Sequence, residues 1–148
     1  YDILDTVDQW LSQGTPVALA TVVETWGSSP RQAGARMAIT SEMAMVGSVS
    51  GGCVETAVVQ EAVDTLADKQ PRLLQYGVSD DTAWTVGLAC GGKMSVFVEL
   101  LDRGWWDYVS SAVRANHALT TVTIIEGEHA GKKIVCDFSV MNTLLVPL

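Results

Sequence analysis

Helical and strand-like segments alternate along 148 residues, which predicts an α/β or α+β fold: a mixed β-sheet with flanking helices, in a single domain. Two observations carry this. Apolar residues switch repeatedly between helical spacing and short β-branched runs, with glycine-containing turns between them. Hydrophobic residues make up 48% of the chain, and a chain of this size buries roughly 70% of its unfolded surface. A core therefore needs neither a disulfide nor a metal to hold it.

Ile3, Leu4, Val7, Trp10 and Leu11 fall on one helical face, so a helix runs from Ile3 to Gly14, with the glycine as its stop. Val17 to Val23 is a β-branched run and reads as a buried strand. Trp26-Gly27-Ser28-Ser29-Pro30-Arg31 is turn-rich. Arg36–Ile39 and Met45–Val49 read as two short strands around a Ser41-Glu42 turn. Val54 to Leu66 is a helix, marked by Val54, Ala57, Val58, Glu61, Ala62 and Thr65. Arg72–Tyr76 is a strand, Gly77–Thr82 a polar loop and Ser95–Leu101 a strand. Trp105 to Asn116 is a helix with Trp106, Val109, Ala112 and Val113 as its inner stripe. Thr120–Glu126, Lys132–Cys136 and Thr143–Val146 close the chain as strands. There is no internal repeat or low-complexity tract.

The net charge of -8 argues against nucleic acid or an anionic membrane surface as partner, because both require a basic field. No apolar run approaches the roughly 20 residues of a membrane span. Tyr1-Asp2-Ile3-Leu4-Asp5 lacks the basic and apolar regions of a signal peptide, so the expected compartment is the cytoplasm. There, three cysteines stay reduced. None forms a CxxC pair, and no histidine stands at zinc-finger spacing from them.

Two of these cysteines stand in glycine-rich frames: Ser50-Gly51-Gly52-Cys53-Val54-Glu55 and Gly87-Leu88-Ala89-Cys90-Gly91-Gly92. A packing cysteine keeps bulky apolar neighbours, as Cys136 does in Ile134-Val135-Cys136-Asp137. Glycines instead let a ligand approach the main chain. Cys53 is expected in the first turn of the helix, where free N–H groups and the helix dipole favour anions and would lower a thiol's pKa. Arg31, Arg36 and Lys93 near these glycines hint at a phosphate. The loop is neither a Walker A sequence nor a G-x-G-x-x-G fingerprint. His117 at a helix end, His129 in a hairpin turn, Asp80-Asp81 in a solvated loop and the Trp105-Trp106 pair all have structural readings.

Four blocks, Thr25-Trp26-Gly27-Ser28-Ser29-Pro30-Arg31, Gly34-Ala35-Arg36-Met37, Gly47-Ser48-Val49-Ser50-Gly51-Gly52-Cys53-Val54-Glu55 and Gly87-Leu88-Ala89-Cys90-Gly91-Gly92, together resemble the N-terminal domain of the XdhC/CoxI family. The likeness covers about Leu4 to Leu101 well. It implies a maturation chaperone that binds the molybdenum cofactor (molybdopterin, in mononucleotide or dinucleotide form), protects it, and assists its sulfuration and insertion. The implied client is an apo molybdenum hydroxylase of the xanthine dehydrogenase, aldehyde oxidase or carbon monoxide dehydrogenase type.

By that resemblance Cys53 and Cys90 contact the cofactor and its metal centre, and Gly51, Gly52, Gly91 and Gly92 supply backbone N–H groups. Arg31 and Arg36 neutralise phosphate through the guanidinium fork. Glu55 either orients a pterin amine or caps its own helix. A cysteine desulfurase and a homodimer are implied partners. The Rossmann-like second domain common in the family is expected to be absent. Two other readings stay open: a sulfur-transfer enzyme using Cys53 as nucleophile, and a non-catalytic dimeric interaction module. The chaperone reading requires the two thiols to converge on one glycine-walled hollow.

Overall fold

The computed structural model describes residues 2–29, 31–77 and 92–137. The expected strand Thr143–Val146, together with Cys90 and Gly91, lies outside the described residues. The chain divides into two compact units, Tyr1–Leu101 and Asp102–Leu148.

The first unit holds helix α1 (Asp2–Ser12), strands β1 (Val17–Trp26), β2 (Arg36–Thr40) and β3 (Met45–Gly47), helix α2 (Glu55–Asp68), and strands β4 (Arg72–Tyr76) and β5 (Lys93–Leu100). The five strands form one sheet in the order β3-β2-β1-β5-β4. Every described pairing in it is antiparallel, so the predicted sheet-and-helix class takes its α+β form.

Burial explains why these residues form this sheet. Ala18, Ala20 and Val22 of β1 share a cluster with Met37 and Ile39 of β2, Met94, Val96 and Val98 of β5, and Val54, Val58, Val59 and Ala62 at α2. The alternate residues Val17, Leu19, Ala38 and Phe97 are also buried, so both sheet faces are covered at its centre. Burying each larger aliphatic or aromatic side chain contributes about 1.5–3 kcal/mol. The alanines of β1 and β2 bring little area but let the covering layers come close. Helix α1 packs on β1, β2 and β3 and buries Leu4 and Val7, two of the residues whose spacing predicts it.

Strand β1 runs three residues past the predicted Val23. A register shift between Val22 and Glu24 re-aims the strand, and Glu24, Thr25 and Trp26 then pair with Ser95, Met94 and Lys93. Trp26, expected in a loop, is therefore the last residue of β1. The partner strand supplies what local pattern did not.

The turns depend on glycine where backbones touch. Gly77 has φ +78°, and a Cβ there would lie 2.1 Å from the Gly92 carbonyl oxygen. A Cβ on Gly92 would lie 2.7 Å from the Ser28 carbonyl oxygen. Gly92 is thus fixed by packing against the loop that follows β1.

The second unit holds α3 (Arg103–Arg114), β6 (Thr120–Thr123) and β7 (Lys133–Cys136). Asp102 caps α3 by accepting a hydrogen bond from the Trp105 N–H at 2.6 Å, the usual use of an aspartate at that position. Trp105, Trp106, Val109 and Ala112 are buried, while Val113, predicted on the inner stripe, is exposed. The stripe is carried by Trp105 instead. Strands β6 and β7 pair antiparallel from Thr120↔Cys136 to Thr123↔Lys133. His129 sits in the connecting turns, where its carbonyl accepts from the Lys132 N–H at 3.1 Å. No helix among the described residues is long and apolar enough to cross a membrane.

Candidate functional site

The loop between β3 and α2, Ser48 to Val54, carries the candidates Gly51, Gly52 and Cys53, and Glu55 follows it at the start of α2. It begins at Gly47, whose φ is +85° and where a Cβ would lie 2.3 Å from the Arg36 carbonyl oxygen. Gly51 and Gly52 follow with φ +72° and +114°. These left-handed conformations are the province of glycine, and they curl the chain so that successive N–H groups point inward.

What they point at is the chain's own Glu55. Its Oε1 accepts from the Ser48 hydroxyl at 2.8 Å, the Val49 N–H at 3.3 Å and the Ser50 N–H at 2.9 Å. Its Oε2 accepts from the Gly52 N–H at 2.8 Å and from the Ser50 hydroxyl. Ser50 in turn accepts from the Val54 N–H at 2.9 Å, and the Gly51 N–H donates to Ser48 Oγ at 2.9 Å. Partial burial pushes the Glu55 carboxyl up, but the bonds donated by Ser50 and Ser48 outweigh it and hold the group at about 2. Val54, the residue preceding α2, makes no capping bond with its side chain. Glu55, first in the helix, ties down the loop before it instead.

Several expectations change accordingly. The Glu55 carboxylate, expected either to orient a pterin amine or to cap its own helix, accepts its bonds from the Ser48–Gly52 loop. The N–H groups of Gly51 and Gly52, expected to face a ligand, are engaged within the loop. Cys53, expected in the first helical turn, precedes the residue that caps α2 and is an exposed free thiol. The anion-friendly nest predicted from the glycines exists, and a carboxylate of the same chain fills it.

Among the other candidates, Arg36 adjoins the loop through its carbonyl oxygen, which accepts from the Ser48 N–H at 3.1 Å. Arg31 is exposed. Arg36, on β2, is half-buried; burial pushes its pKa down and the Glu99 carboxylate opposes that shift. Its charge is therefore answered in part inside the fold. Gly92 is buried between backbone segments, and Cys90 and Gly91 lie outside the described residues. Cys136 is half-buried on β7. Among the described residues, no group of three or more His, Cys, Asp or Glu side chains could hold a metal ion.

The residues the sequence reading missed are Ser48 and Ser50. Ser50 is 1% exposed, and its hydroxyl both donates to Glu55 and accepts from Val54. The available signal was a pair of hydroxyls a few positions before an acidic residue at a helix start.

Residues 10–77 match the model of the XdhC and CoxI family, a span that includes the Glu55-closed loop. The chain is 33% identical over 129 residues to a probable xanthine dehydrogenase subunit of Bacillus subtilis, covering 83% of this chain and 39% of that protein. It is 34% identical over 92 residues to the molybdenum cofactor insertion chaperone PaoD of Escherichia coli, covering 62% of this chain and 28% of that one. The crystal structure of a xanthine dehydrogenase from Bacillus halodurans superimposes with a TM-score of 0.74 at 27% identity, covering 90% of this chain and 42% of the other. The chain thus spans well under half the length of each of these relatives.

Proposed function

Given that the chain belongs, through residues 10–77, to the XdhC and CoxI family, we propose that it is an accessory protein of molybdenum hydroxylases, which binds the molybdenum cofactor, protects it, and assists its sulfuration and insertion into the apo-enzyme. The observation that carries this reading is the exposed Cys53 thiol on a loop made rigid by Glu55. The similarity to a cofactor insertion chaperone supports the direction of the chemistry.

The residues fit the cofactor in part. Cys53 offers an exposed free thiol, a soft sulfur group, to the metal centre and its dithiolene. The glycine nest does not fit a phosphate, because Glu55 already occupies it. Phosphate neutralisation falls instead to Arg31, whose guanidinium is exposed. Cys90 remains in the proposal as the second thiol, and Gly91 as a neighbour to it. When bound, the cofactor supplies the metal centre that the client enzyme uses. This chain's residues hold it, keep its sulfur face away from oxidant, and present it. The client is a molybdenum hydroxylase, a cysteine desulfurase is the sulfur source for the sulfuration part, and a homodimer is the working assembly.

The test is an anaerobic titration with molybdenum cofactor, followed by absorbance, for the wild-type chain, Cys53→Ser and Cys90→Ser. A saturable spectral change in the wild type that weakens at least tenfold, on the order of 1.4 kcal/mol, in Cys53→Ser is the expected result. Undiminished binding by a Cys53→Ser, Cys90→Ser double variant overturns the role of the thiols and turns attention to an interface function. A persulfide on Cys53 after incubation with a cysteine desulfurase, read by mass spectrometry, tests the sulfuration part separately.

A further inference from the structure

We propose that the cleft between the first turns of α3 and the start of β7 binds a small molecule joining a planar ring to a phosphate group, with a purine nucleoside monophosphate as its simplest representative. All the residues that form it belong to the second unit, and none belongs to the Cys53 loop.

The cleft encloses about 620 Å³, within the range of roughly 300–1,000 Å³ typical of small-molecule sites. Its walls are aromatic and cationic, with Trp105, Tyr108, Lys132 and Lys133 among the lining residues. Lys133 is fixed in place: its Nζ lies 4.8 Å from the Trp105 ring centroid and donates to Thr123 Oγ1 at 3.0 Å. Tyr108 is 49% exposed, and its hydroxyl donates to Asp137 Oδ2 at 3.2 Å, which holds the ring while leaving surface for a planar ligand. Such a ring against a base contributes about 1–3 kcal/mol.

Lys132 is exposed at the cleft and supplies a mobile cation for the phosphate. The floor is open because Gly104 has no side chain; a Cβ there would meet only Asp102 Oδ1, at 3.6 Å. The Asp102 carboxylate also lines the cleft, but it is turned onto the Trp105 N–H at 2.6 Å. The carboxylate beyond Tyr108, Asp137, is held by the Tyr108 hydroxyl and by His117 Nε2 at 3.0 Å, so Lys132 is the cation at the cleft that faces solvent. The overall charge of -8 disfavours a polymeric anion and leaves a small one.

Calorimetric titration of the full chain with AMP, adenosine and inorganic phosphate at low salt tests the assignment. AMP is expected to bind saturably, with adenosine and phosphate each at least tenfold weaker. Lys132→Ala and Tyr108→Ala should each weaken AMP by about tenfold. Gly104→Leu should abolish binding by filling the floor, with an unchanged circular dichroism spectrum. The proposal is overturned by any of three results: no saturable AMP binding, equal affinity for phosphate alone, or undiminished affinity in folded Lys132→Ala and Gly104→Leu.

Discussion

Replacing Glu55 by Gln isolates the charge that organises the candidate site. The variant keeps the side chain's length and one acceptor oxygen. In place of the other it sets an NH₂ group against donors already aimed there, the Gly52 N–H and the Ser50 hydroxyl on Oε2 in the present structure. The fall of the Glu55 carboxyl from 4.5 to about 2 corresponds to about 3 kcal/mol between its charged and neutral forms. Solvent screening of this half-exposed group reduces that to about 2 kcal/mol. An independent figure comes from Ser50, whose buried hydroxyl loses its acceptor, a loss of about 1–3 kcal/mol.

Urea unfolding of Glu55→Gln should therefore show a stability lower by about 2 kcal/mol with an unchanged denaturant slope. The alkylation rate of Cys53, followed by peptide mass spectrometry, should change in the same variant, because the loop that displays the thiol has lost its organising charge. A stability within about 0.3 kcal/mol of wild type, together with an unaltered Cys53 alkylation rate, would refute the reasoning.

The same bonds and contacts set three other expectations. Because the folded pKa of Glu55 is depressed, its contribution is full above about 4.5 and is lost as pH falls towards 2. Acid titration of stability should show this loss in the wild type and a shallower one in Glu55→Gln. Some slope remains in that variant, since the Arg72 side chain also holds Asp68 at about 2. Gly77→Ala should destabilise by more than the roughly 1 kcal/mol of left-handed backbone strain, because its Cβ would overlap the Gly92 carbonyl oxygen at 2.1 Å; thermal unfolding reads this directly. Asp102→Ala removes the acceptor for the Trp105 N–H and should cost about 1 kcal/mol, measured by urea unfolding, without altering the Cys53 loop.

Most elements of the fold were legible because their patterns were local. The apolar spacing through Leu4 and Val7, the β-branched start of β1, and the spacing of Val54, Val58 and Ala62 at α2 each fix an element wherever it sits. The end of β1 was not legible, because Glu24 to Trp26 become strand only by pairing with β5. The division at Leu101 also leaves no mark in composition. In the candidate site, the glycines announced a nest of N–H groups, and that nest is present. Its occupant could not be read, since an open nest and one closed by a carboxylate three residues on share the same residues. The distinction lies in how the loop folds back, which brings Glu55 to Ser48, Ser50 and Gly52 at once.

Gly77 and Gly92 meet backbone to backbone, and Gly92 rests on Ser28. Between the first two runs the stretch 78–91, which carries Cys90. The two glycines thereby fix where β4 ends and β5 begins. A side chain at either position would push the end of β4 away from the start of β5, or β5 away from the loop after β1.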